Sequence, residues 1–232
     1  MFSTNFFADP QTNRLVDIAT SSFLPLLKGA FTFTISLSLI SFAIGLVLAI
    51  FTALARTSTI KPLNWIARIY VSIIRGTPLL VQLFIIFFGL PKIGVTLDPF
   101  PSAVIGFSLS VGAYGSEVIR AAILSVPKGQ WEAAYSMGMT YRQALVRVII
   151  PQAARVSVPP LANSFISLVK DTSLAAVILV PEMFRKAQEI VAATYEPLLL
   201  YIEVAIIYWV ISTFLSFLQG KLEQRFDRYV AK

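Results

Sequence analysis

Residues 127–151 read PKGQWEAAYSMGMTYRQALVRVIIP, a charged, helix-patterned stretch lying between long apolar runs. Pro127 and Gly129 stop the preceding apolar helix, and Gln130 to Met137 suffices for about two helical turns. Gly138 is placed to end those turns in a left-handed C′ position. Thr140 is placed to cap a second helix, and Gln143, three residues on, completes a capping-box pattern. Ala144, Leu145, Val148 and Ile149 make one apolar face, and Pro151 predicts a further bend. The stretch therefore predicts a short helix, a tight turn and a second short helix carrying Lys128, Arg142 and Arg147. Set beside segments of membrane length, it reads as a cytoplasmic docking surface; the alternative is a surface hairpin with no partner.

The remainder of the chain supplies that membrane setting. Of 232 residues, 56% are hydrophobic and 13% charged, with a mean hydropathy of +0.76, too apolar for an ordinary water-soluble domain. The net charge of +7 would raise the question of nucleic acid in a soluble protein. Here the basic residues cluster beside apolar runs, where orientation in a bilayer explains them, and no nucleic-acid partner is expected. Cysteine and histidine are absent, which removes disulfides, thiolate and imidazole metal ligands, and the usual proton shuttle. The opening MFSTNFFADP lacks a basic region followed by an apolar stretch, so no cleavable signal peptide is expected there.

The spaced pattern inside the hairpin resembles a known one. Glu132-Ala133-Ala134, then Gly138, then Val148-Ile149-Ile150-Pro151, is similar to the EAA loop of bacterial ABC importer permeases. Val-x-Ile-Pro replaces the family's Ile-x-Leu-Pro. PQAARVSVPPLANSFISLVKDTSLAAVI at 151–178 and RGTPLLVQLFIIFFGLP at 75–91 resemble the polar amino-acid branch, and together they are most similar to permease subunits for L-cystine. The resemblance covers nearly the whole chain. It implies one all-α transmembrane domain over 1–232 with the type I importer permease fold, in a bacterial cytoplasmic (inner) membrane. It implies that the hairpin is a coupling helix seated in a cleft of an ATPase subunit. Trp131, Glu132, Ala133, Ala134, Gly138 and Arg142 are its candidate coupling residues. The implied partners are two cytoplasmic ABC ATPase subunits, which bind ATP and Mg, an extracytoplasmic amino-acid-binding protein, and a second permease copy or a close paralogue.

Five spans are expected, at about 25–55, 62–90, 100–126, 156–180 and 198–220. Met1 to Ser22 reads as an outer arm with some interfacial helix. Along the first span Ser41, Gly45, Ala49 and Ala53 recur every fourth residue, a stripe that lets another backbone approach. Arg75-Gly76-Thr77-Pro78 interrupts the second span and predicts a bend or unwound turn. Arg75 there is either a structural anchor or a transport residue. Residues 181–196 read as an outer amphipathic helix, and KLEQRFDRYVAK as a cytoplasmic tail. Most of the 19 lysines and arginines, from Arg56, Lys61 and Arg68 through Arg142, Arg147 and Arg155 to Lys221 and Arg225, then fall inside. That bias sets the N-terminus outside and the C-terminus inside.

Polar groups within the spans are the candidate substrate path. Glu117 lies about 14 Å along its helix from the inner end and is placed to pair with Arg120. Asn163, Ser164, Ser167, Lys170 and Asp171 fall at helical spacings and form a stripe unsuited to lipid. A zwitterionic amino acid needs both donors and acceptors in such a place. The alternative for Lys170 and Asp171 is a structural pair tying helices or subunits together. No GxxxxGK[ST] loop, metal cluster or catalytic triad is present, so the chain is expected to be no enzyme, without metal or cofactor of its own. An ion-gradient-driven transporter or channel subunit, and a membrane scaffold, are the other readings of the same residues.

Overall fold

The computed structural model describes residues 10–227, and every regular element among them is helical. The opening MFSTNFFAD and the end of the tail, with Arg228 and Lys232, lie outside the described residues. Pro10–Gly29 (α1) joins Ser36–Thr57 (α2) through a π-helical segment, Ala30–Ile35. The described part of the outer arm is thus helical and continuous with the first span, 47 residues from Gln11 to Thr57. At 1.5 Å per residue that is about 70 Å, against a hydrocarbon core of about 30 Å, so the arm projects well past the span. Leu26 near the end of α1 and Ala30 in the π-helical segment are buried against Met183, Ala187, Val204 and Ile207.

Pro99–Ser125 (α5) is the third expected span and the main partner of α2. The small-residue stripe forms that contact: Ser41, Ala49 and Ala53 are fully buried. A Cβ on Gly45 would stand 2.5 Å from Cβ of Val111, so only glycine allows this approach. Phe107 of α5 fills the core between Leu37, Leu83, Leu168 and Ile178.

The second span is broken. Lys61–Gly76 (α3) and the stretch starting with Leu79–Phe84 (α4) and running to Ile93 meet at 103°. Thr77, ahead of Pro78, takes extended φ/ψ of −121° and 145°, as a residue before proline tends to. The carbonyls freed by the break need donors in a dry interior. Gln82 supplies them: its Nε2 donates to the carbonyls of Ile74 (2.8 Å) and Thr77 (3.1 Å) and to Thr77 Oγ1 (2.9 Å). Four helical stretches are long and apolar enough to cross a membrane, or five when the bent pair is one span.

In the hairpin, Lys128–Ser136 (α6) ends at Gly138, whose φ is +78°. Gly138 N–H donates to Tyr135 and Met139 N–H to Ala134, closing the turn. Thr140 caps Tyr141–Ala144 (α7) through a complete capping box with Gln143. Beyond Ala144 the chain departs from the expected bend at Pro151. α7 runs through a π segment, Leu145–Ile149, into Ile150–Asp171 (α8), and then through a 3-10 segment to Ile178. The second helix of the hairpin and the fourth span are one continuous helical stretch of 38 residues, Tyr141–Ile178. The proline ring would clash with the carbonyl of Arg147 in a regular α-helix; the wider π turn there clears it. Met183–Thr194 (α9) is the short helix expected within 181–196, and Pro197–Asp227 (α10) carries the last span beyond residue 220.

Candidate functional site

A cavity of about 310 Å³ opens between α2, α4, α5 and α8. Phe42, Leu79, Val111, Leu161 and Leu168 give it apolar walls, while Ser110, Tyr114, Asn163, Ser164, Ser167 and Asp171 bring polar groups. Positions 163, 164, 167 and 171 share a face because three- and four-residue steps return to one side of a helix. Ser164 Oγ donates to the Pro160 carbonyl (2.9 Å), so the free groups are those of Asn163, Ser167 and Asp171. Lys170, one residue from Asp171, points off that face, is exposed and does not line the cavity. Among the described residues it makes no ion pair with Asp171 within 4 Å.

Glu117 is also off the cavity lining, at the centre of three arginines from three helices. Arg56 at the end of α2 donates to its Oε1, and Arg75 Nη1 from α3 lies 3.4 Å from the same oxygen. Arg120 takes Oε2 through Nε (3.1 Å) and Nη2 (2.8 Å), the pairing expected from their spacing. One carboxylate against three guanidinium groups leaves this cluster positive. It adjoins the cavity through Tyr114, whose ring centroid lies 5.2 Å from Arg75 Cζ. No spacing rule brings Arg56 and Arg75 to Glu117; Arg56 reads singly as a basic residue at an inner helix end, and Arg75 as one at the interruption of the second span.

At the hairpin, Trp131 stacks on Tyr141 with ring centroids 5.5 Å apart and planes 15° from parallel, and leans on Tyr135 at 6.2 Å. The aromatic trio, with Glu132, Lys128, Thr57 and the end of α5, borders an open groove of about 480 Å³. Glu132, Ala133, Gly138 and Arg142 are exposed. Ala134 is turned inward, 3% exposed, so only one of the paired alanines faces outward. α6 begins at Lys128, which puts Glu132 in the second turn, beyond the first-turn positions that a helix N-terminus favours for a carboxylate. Tyr135 and Tyr141 carry no sequence signal beyond being aromatic in a polar segment.

At the opposite end, Glu182 is fully buried where α9 begins. Its Oε2 accepts from Phe184 N–H (2.8 Å) and Tyr208 Oη (3.2 Å), and its Oε1 from Arg185 N–H (2.6 Å). Burial pushes its carboxyl up from 4.5 to about 7 despite those bonds. An acid with a raised pKa holds its proton more tightly when folded, so its stabilising contribution is complete below about 4.5 and is lost as pH rises through about 7. The melting temperature of the purified protein is expected to fall between pH 5 and 8, and this fall to be smaller in Glu182→Gln. Equal slopes in the two proteins would show that Glu182 does not titrate in this range.

Comparison with known proteins places these features in a family. Residues 45–228 match the model of the binding-protein-dependent transport system inner membrane component. The L-cystine transport system permease protein TcyB of Bacillus subtilis (strain 168) is 62% identical over 217 residues, 93% of each chain. The arginine transport system permease protein ArtQ of the same organism is 38% identical, covering 89% of this chain and 95% of its own. A crystal structure of an amino acid ABC transporter with histidines superposes with a TM-score of 0.83 at 38% identity, over 87% of this chain and 94% of that one. The inward-facing MetNI methionine ABC transporter shares the fold, with a TM-score of 0.66 at 18% identity over 94% and 99%. The chain thus belongs to the inner membrane components of binding-protein-dependent transport systems, the permease subunits of ABC importers.

Proposed function

We propose that the chain is the permease subunit of an ATP-driven importer for a polar amino acid, with L-cystine the foremost cargo. The observation that carries this is the single helical stretch Tyr141–Ile178. It bears part of the hairpin at one end and Asn163, Ser167 and Asp171 of the cavity toward the other, so Tyr141 and Ser167 lie about 39 Å apart on one rod. Movement imposed on the hairpin by two ATPase subunits reaches the cavity through that rod. ATP and Mg belong to those subunits. A binding protein delivers the cargo from outside, where α9 and the N-terminus lie, and the hairpin faces the cytoplasm. Asp171 accepts from the cargo ammonium, Asn163 and Ser167 supply neutral hydrogen bonds, and the Glu117 cluster borders the path. A second copy of the chain completes the path around the cavity. L-cystine rests on similarity to TcyB, because the same polar set accepts other zwitterions.

Reconstitution with the cognate ATPase and binding protein, followed by competition among labelled amino acids, tests this. ATP-dependent accumulation with L-cystine as the strongest competitor is expected, and Asp171→Asn should raise the half-saturating concentration. Accumulation on an ion gradient with no ATPase present would establish the secondary-transporter reading instead.

A further inference from the structure

α3 presents three faces rather than two. Ala67 and Val71 are buried against the bundle, with Asn64 and Ile74 half-buried beside them. Leu63, Ile66, Ile69 and Ile73 are exposed and apolar, a face suited to lipid. Between these faces run Lys61, Trp65, Arg68, Ser72 and Arg75, at steps of four, three, four and three, all exposed. Those steps keep five side chains on one line of the helix. Among the described residues Lys61 and Arg68 form no ion pair within 4 Å. Exposed cations along a helix of the second span are costly wherever that helix meets hydrocarbon, and point to water or to a ligand.

Both ends of the row meet a concavity. At the top, Arg75 reaches Glu117 and lies over Tyr114, which lines the cavity. At the bottom, Lys61 and Arg68 line a polar groove of about 290 Å³ with Ser58, Thr59, Asn64 and Trp65. The row between them is about 21 Å long. We propose that it lines the inner half of the transport path, facing a second copy of the chain across a wet gap, and that it receives the carboxylate of the departing amino acid. Arg75, only loosely held by the shared Glu117, takes the carboxylate from the cavity; Arg68 and Lys61 pass it toward the cytoplasm. Such a row conducts because each site is shallow and the next is about two turns away. The inference rests on the importer reading above, since only a cargo with a carboxylate uses it.

The chain contains no cysteine, so single-cysteine reporters can be placed in the intact assembly. Ser72→Cys and Arg68→Cys on the row, and Ile66→Cys and Ile69→Cys on the lipid face, are treated with an anionic, membrane-impermeant methanethiosulfonate in phosphatidylcholine vesicles. The row positions are expected to react several-fold faster than the lipid-face positions. L-cystine should slow labelling at position 72, and its dimethyl ester, which has no free carboxylate, should not. Arg68→Gln should slow ATP-driven uptake several-fold whether or not phosphatidylglycerol is present. Equal reactivity at positions 72 and 66 in a complex that does transport overturns the inference. So does an Arg68→Gln defect confined to vesicles with phosphatidylglycerol, which would make the row a lipid-phosphate site. A wild-type complex that takes up no amino acid defeats the importer reading alone, because the labelling contrast needs no turnover.

Discussion

Glu117→Gln is expected to destabilise the complex more than any other single isosteric change. The substitution keeps the side chain's shape and removes the one negative charge on which Arg56, Arg75 and Arg120 converge. Deleting one partner of a buried ion pair costs about 3–5 kcal/mol, chiefly because the other charge is left without compensation. All four groups here are partly exposed, with 22% of the Glu117 side chain accessible, so the lower end of that range applies. The expected result is a clearly lower yield of monodisperse complex after heating, read by size-exclusion chromatography. A second variant separates charge balance from simple damage. Adding Arg56→Gln to Glu117→Gln removes one of the orphaned cations and should restore part of the loss. Should Glu117→Gln melt with the wild type and transport normally, the cluster has no structural weight and Glu117 has no place beside the path.

Gly138→Val should uncouple ATP hydrolysis from uptake while leaving the spans intact. A Cβ at this position meets nothing within 4 Å, so the penalty is one of backbone alone. Gly138 sits at φ +78°, and a left-handed conformation costs a residue with a Cβ about 1–2 kcal/mol. Two turn bonds depend on that conformation, from Gly138 N–H to Tyr135 and from Met139 N–H to Ala134. Losing them splays α6 from α7 and separates Trp131 from Tyr141, the stacked pair that shapes the exposed groove. A penalty near 1.4 kcal/mol lowers the properly shaped hairpin about tenfold relative to its alternatives. The expected readout is residual ATPase activity with little ATP-dependent accumulation. Gly138→Asn, whose side chain tolerates the left-handed region, should recover much of it. Equal failure of both variants would mean that bulk at this exposed position, not the turn, is what the partner rejects.

The hairpin shows how far local chemistry is legible. Its left-handed glycine, its capping box and its two helices depend on bonds between residues three to five apart, and each is readable in QWEAAYSMGMTYRQ. The small-residue stripe is legible for a similar reason, because a four-residue period marks one helix face before its partner is known. The same logic places the break at Thr77-Pro78. It fails at Pro151, because a π turn can carry a helix past a proline that would otherwise bend it, and the packing of Ile149 and Ala153 on α5 makes that choice. Helix starts are equally sensitive: two extra residues at the head of α6 are enough to carry Glu132 out of its first turn.

By itself the sequence determined an all-helical membrane chain, the hairpin and its caps, and the polar face of α8, since each follows from periodicity, backbone preference or contacts within a turn or two. Tertiary structure alone decided that Arg56 and Arg75 join Arg120 at Glu117, that Gln82 satisfies the broken span, and that Glu182 is sealed beneath α9. It also decided that Lys170 turns away from the cavity that Asp171 enters. The contacts of Glu117 with Arg56 and Arg75, and of Glu182 with Tyr208, join groups tens of residues apart, and only the close approach of whole helices, set by glycine, serine and alanine at their crossings, determines which of those side chains arrive together.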